Sequence, residues 1–215
     1  MTPLEIVVRG HARRRYPAER ATLRLAAQVD GSDRQHVYDR AVAVHDPLSR
    51  ELAGLLDAGA VTRWHSDQLR VFSYRPSSER GLRPLMYRVA VKVEAEFVDF
   101  ERLSAFLDRW AVVEGIEVGY TDWDVTEEHR HTYEAALRRE AVADATAKAQ
   151  AFADAAGRGA VTAVRLADPG MLGTSGGNFP AARMALAAAP AGPSLELRPD
   201  DIELEVSVDA RFAAE

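Results

Sequence analysis

The chain has 215 residues, 47% of them hydrophobic and 28% charged, with 27 basic against 33 acidic side chains and a net charge of −6. This is globular composition, neither disordered nor fibrous. The acidic balance gives no general attraction to phosphate backbones, which argues against nucleic acid as a partner, and the lack of cysteine excludes disulfides, thiolate chemistry and cysteine-based metal sites.

Two strands come first. Glu5 to Tyr16 begins apolar and turns basic. Ala21 to Val29 alternates, with Leu23, Leu25, Ala27 and Val29 facing one way and Thr22, Arg24 and Gln28 the other, which is the period of a half-buried strand. Tyr16-Pro17-Ala18-Glu19 reads as the turn between them. Ser32-Asp33-Arg34-Gln35 reads as a capping box opening a helix whose core face is Val37, Ala41, Val44, Leu48, Leu52 and Leu55. Pro47 predicts a kink near His45–Asp46, and Gly59 closes the helix. A hairpin follows, one arm from Val61 to Tyr74 and the other from Leu85 to Phe97, joined by the polar connection Pro76 to Gly81.

Asp99 caps a short helix with Leu103, Phe106, Leu107 and Trp110 on its buried side. Ile116 to Val125 is a further strand. Thr126 caps a long helix, with Glu127 and Glu128 suited to its dipole and Gly157 at its end. Ala141, Ala145, Ala149, Phe152 and Ala156 are expected on its packed side. Small side chains bury little area, so Leu137, Val142 and Phe152 are expected to anchor it. Ala160 to Leu166 is a short strand, 168–200 reads as a flexible loop, and Ile202 to Phe212 is a closing, alternating strand.

The expected order is β-β-α-β-β-α-β-α-β-β. Regular βα alternation is missing, so the fold class is α+β, with antiparallel sheets built from hairpin pairs, helices packed on one face, and one long Ala-rich helix. The chain reads as a single domain over 1–215, divisible into subdomains at about 1–98 and 99–215. The N-terminus, MTPLEIVVRGHARRR, has no charged stretch followed by an apolar core, and no run approaches the roughly 18–20 apolar residues that span a bilayer. The expected location is cytoplasmic, with no membrane partner.

Four segments in order carry a family resemblance. AVADATAKAQAFADAAG, at 141–157, resembles the Ala-rich long-helix motif of the SIMPL-domain family. IVVRGHARRRYPAERATLRLAAQV looks like that family's opening strands, YRVAVKVEAEFVDFERL like its central strand and the helix after it, and PAARMALAAAPAGPSLELRPDDIELEVSVDARF like its tail. The family includes bacterial envelope and oxidative-stress defence proteins and a mammalian kinase-associated signalling protein. The resemblance implies an α+β fold and, for some members, ring or cage-like self-assembly. It implies no catalytic residue and no cofactor.

Two clusters could carry chemistry. Asp122 and Asp124 share a strand face, and Glu127, Glu128, His129 and His131 open the long helix. Carboxylates with imidazoles could hold a divalent transition metal, although no HExxH spacing is present, and the alternative is a solvated strand end followed by a dipole-matched helix start. Arg9, Arg13, Arg14 and Arg15 form either a solvated strand edge or a patch for an anion or protein partner. The glycines of GTSGGNFP match no phosphate-binding motif, and no serine lies in GxSxG. The leading expectation is a non-catalytic, self-associating binding or scaffold protein, with a stress-response role suggested by the family. The alternatives are a metal-dependent enzyme at 122–131 and a carrier for a small apolar ligand held between sheet and long helix.

Overall fold

The computed structural model describes residues 3–76, 84–172 and 199–215. The fold is α+β, and the described strands pair antiparallel throughout. The chain divides into two compact units. One runs to Pro17, resumes at Val125 and closes with Asp201–Glu215; the other is built on Ala18–Asp124.

The first unit holds β1 (Leu4–Tyr16), α3 (Glu127–Ala155), β7 (Val161–Ala167) and β8 (Ile202–Ala214). Its sheet has the order β1-β8-β7. The two ends of the chain pair over a long register, from Leu4 opposite Ala214 to Tyr16 opposite Ile202. Ile6, Ala12, Leu204, Val208, Ala210 and Phe212 are buried against one side of α3.

That side of the helix is Leu137, Ala141, Ala145, Ala149 and Ala153, spaced four apart. Phe152, expected as an anchor, is 61% exposed; the stripe advances by four, which places Ala153 in the interface and turns Phe152 outward. Small residues on both surfaces let the helix lie nearly backbone to backbone on β1. A Cβ on Gly10 would collide with the backbone carbonyl of Ala141 and come within 2.9 Å of the Ala145 methyl. As expected, Thr126 is the N-cap and Gly157, at φ +67°, follows the C-cap.

The second unit holds β2 (Arg20–Gly31), α1 (Arg34–Asp57), β3 (Val61–Ser66), β4 (Arg70–Tyr74), β5 (Met86–Phe97), α2 (Phe100–Trp110) and β6 (Ile116–Asp124). The sheet order is β3-β5-β2-β6, with β4 also on β5. Ala21, Leu23 and Leu25 of β2 and Val93, Ala95 and Phe97 of β5 bury one face against Leu48 and Leu52 of α1 and Leu103, Phe106 and Trp110 of α2.

Three local expectations change. Pro17 does not make a hairpin, because β1 and β2 enter different sheets. The arm expected over 61–74 is two strands: the Asp67 amide donates to the Lys92 carbonyl, and pairing with β5 resumes at Arg70. The α1 cap sits one residue later, with Asp33 accepting from the His36 amide, while Gln35 reaches Asp39 rather than back to the cap. The helix continues past Pro47 as a single element, as the unbroken apolar phase implied. The connection at 77–83 and most of the expected loop, 173–198, lie outside the described residues.

Candidate functional site

In the first unit, β1 and β8 alternate so that their polar residues share the face opposite α3. Arg9 binds Asp209 with two nitrogens, at 2.6 and 3.1 Å, and the Gly170 amide donates to the same carboxylate at 2.8 Å. The Arg9 hydrogen bond, helped by the Gly170 amide, holds Asp209 below the usual aspartate range, against the opposing effect of its burial. Arg13 and Arg15 both reach Glu203, while Arg14, on the opposite face, pairs with Glu140 of α3 at 2.7 Å. The four arginines of the expected anion patch therefore pair with three carboxylates of this chain, Arg13 and Arg15 sharing Glu203. His11 accompanies them, its Nδ1 2.9 Å from the Ser207 hydroxyl.

The two edges of the three-stranded sheet differ. Along β1, α3 supplies side chains to the outward backbone groups. The His11 amide donates to Asp144 at 2.8 Å, and the Lys148 ammonium donates to the Arg9 carbonyl at 3.1 Å. Asp144 also accepts from Lys148 at 2.6 Å, and these bonds keep its carboxyl below the ordinary range. Along β7, among the described residues, the covering stops at the first residue, where the Val161 amide donates to Gln150. Beyond it Val164 and Leu166 are 63% and 49% exposed, and Arg165 is the one charged residue in the strand. Natural edges are usually blunted by charge, proline, a bulge or cover; among the described residues this one is covered only at Val161, and it carries a bulge at Val164 and the charge of Arg165 between exposed apolar side chains.

Most residues of the expected metal cluster are engaged elsewhere. Asp122 and Asp124 do share a face of β6, and each accepts from an arginine of β2, Arg24 at 3.3 Å and Arg20 at 3.0 Å. Glu127 and His129 lie in the first turn of α3, where the His129 amide donates to the Thr126 cap, and His131 follows on the same helix. Among the described residues no group of three or more His, Asp or Glu side chains could hold a metal ion. No helix among them is long and apolar enough to cross a membrane.

The profile of the SIMPL family, described as a protein of unknown function (DUF541), matches residues 6–212. The chain belongs to this family. Among curated proteins none matches it. The segments that resemble other SIMPL sequences map onto the load of each unit: β1 with β2, β5 with α2, and α3 with the closing strand β8. The SIMPL fold also brings together residues that stand alone in the sequence. His45 of α1 places Nε2 2.9 Å from the Ser66 hydroxyl of β3 and 3.2 Å from that of Ser49. The separation of His45 from Ser66 along the chain left no spacing signal by which to find the contact.

Proposed function

We propose that this SIMPL chain is a non-catalytic binding or scaffold protein that self-associates through the open edge of β7. The observation that carries this reading is the contrast between the two edges of the first unit's sheet. Outward backbone groups of β1 are taken by Asp144 and Lys148, whereas among the described residues β7 has such a cover only at Val161 and presents exposed Val164 and Leu166. A strand edge of this kind pairs readily with another strand by main-chain hydrogen bonding. Antiparallel pairing with the same strand of a second copy would be self-complementary, the arrangement of a two-fold interface. The charged sheet faces support a contact role over turnover, because their arginines are largely committed to carboxylates of this chain. At Gly10 the sheet–helix interface has no room for a methyl group, which leaves little space there for an apolar ligand.

Sedimentation velocity across the micromolar range tests this. The wild-type chain should form dimers or larger species with rising concentration, and Leu166→Lys and Val164→Lys should be monomeric with unchanged far-UV circular dichroism. A wild type that stays monomeric would remove the self-association reading. Variants that associate as well as the wild type would remove β7 as its surface.

A further inference from the structure

The polar face of the five-stranded sheet, opposite its core, carries an open trough of about 510 Å3, within the range of small-molecule sites. Two features of the backbone make it. On β2, Ala26 lies between Arg24 and Gln28, so a methyl group floors a gap between two long side chains. On β6, a bulge sets Gly119 and Tyr120 opposite the single residue Arg24. A Cβ on Gly119 would meet the Arg24 carbonyl oxygen at 2.8 Å, so the bulge needs glycine. Bulges re-aim the side chains beside them, and here Tyr120 comes to lie with its ring 4.7 Å under the Arg24 guanidinium. The ring is still 64% exposed, so much of it stays open to a ligand.

The charges in the trough, which include the Asp67 carboxylate at the Lys92 end, divide into satisfied and available groups. Arg24 is held by Glu94 at 2.9 Å and Asp122 at 3.3 Å. Glu117 accepts from Gln28 through one oxygen, which leaves the other. Lys92 and His65 line the trough and are exposed, and their side chains have no hydrogen-bond or ion-pair partner among the described residues. The sheet register puts Lys92 and Glu117 on either side of Ala26. Two strand spacings, roughly 9–10 Å, separate their backbones, a span that a dipeptide can bridge between two long side chains. A cation at one end and a carboxylate beside an aromatic ring at the other are the complements of a carboxylate and an ammonium.

We propose that this trough binds a small zwitterion of dipeptide size, with its carboxylate at Lys92 and His65 and its ammonium at Glu117 beside Tyr120. The experiment is a titration of the isotope-labelled full chain with the dipeptide alanyl-alanine, followed by backbone amide shifts. Saturable shifts should cluster at Ala26, Lys92, Glu117 and Gly119. N-acetyl-alanyl-alanine amide, which lacks both charges, should bind at least about tenfold more weakly. Lys92→Met and Glu117→Gln should each weaken binding several-fold, and Ala26→Leu, which fills the floor, should abolish it. Lys92→Met and Glu117→Gln change only exposed side chains, so they keep the test decisive if Ala26→Leu perturbs the sheet. Absence of saturable shifts in the millimolar range, equal binding of the capped dipeptide, or unchanged binding by Lys92→Met and Glu117→Gln would each overturn the proposal.

Discussion

At the scale of single residues, two positions carry consequences well beyond their size. Gly10 is required by approach rather than by backbone conformation: any side chain there meets the Ala141 carbonyl. Overpacking of a fitted interface typically costs about 1–3 kcal/mol, and because the obstacle is backbone, Gly10→Ala should fall at the upper end, read as a lowered guanidinium unfolding midpoint with unchanged slope. Asp209 is the second. It is buried, paired with Arg9 and bonded to the Gly170 amide, and its pKa is lowered in the fold. A depressed carboxylate pKa means that the folded state holds its proton less tightly than the unfolded chain. The stabilisation is therefore complete above the ordinary aspartate value of about 4 and disappears as pH falls through the lower, folded value. Asp209→Asn should cost about 1.5–3 kcal/mol at pH 7, the usual worth of hydrogen bonds to a charged group. In urea titrations repeated downward from pH 5, the gap between wild type and variant should close; a gap that stays constant would show that packing, not charge, sets the effect.

At the scale of elements, legibility depended on how distinctive each side-chain pattern was. The strands β2, β5 and β8 were readable because large apolar and charged residues alternate, so period two leaves one solution. The long helix was readable in extent, since Thr126 and Gly157 mark its ends, but not in rotation. Alanine occurs on every side of α3, so hydrophobicity does not single out a face, and Phe152 drew the expected face toward itself. What sets the rotation is room: only a strip of methyl groups fits against Gly10. Ala149→Leu should therefore destabilise the protein by about 1–3 kcal/mol, whereas Phe152→Ala should stay within roughly 0.5 kcal/mol, as for other exposed positions. Thermal unfolding of the two variants beside the wild type decides this; a large loss from Phe152→Ala would restore the aromatic as an anchor. The division of the 61–74 arm into β3 and β4 was illegible for a different reason, because Asp67, Gln68 and Leu69 break the pairing without any proline or glycine to announce it.

At the scale of the whole molecule, the pairing of β1 with β8 joins residues about two hundred positions apart, and no local pattern reports such a partner. A linear reading consequently looks for a boundary between neighbouring segments, near 98, while the contacts group the residues before Ala18 with those from Val125 onward in one unit and make Ala18–Asp124 the body of the other. Its entry and exit are tied together: Arg20 lies opposite Asp124, and the Glu19 amide donates to the Asp124 carbonyl at 2.9 Å. Its main core, from Leu23 through Phe97 and Phe106 to Trp110, is drawn wholly from within the segment. A stretch with its own core and adjacent ends has what an independently folding domain needs. The excised segment 18–124 should give a dispersed amide spectrum and a single cooperative thermal transition. The complementary chain, with a short Gly-Ser linker from Pro17 to Val125, should also fold, because β1, α3, β7 and β8 supply both of its core clusters. A collapsed excised segment that binds a hydrophobic dye and lacks amide dispersion would mean that the burial inside Ala18–Asp124 falls short of the entropy of ordering it, and that the two units are compact without being autonomous.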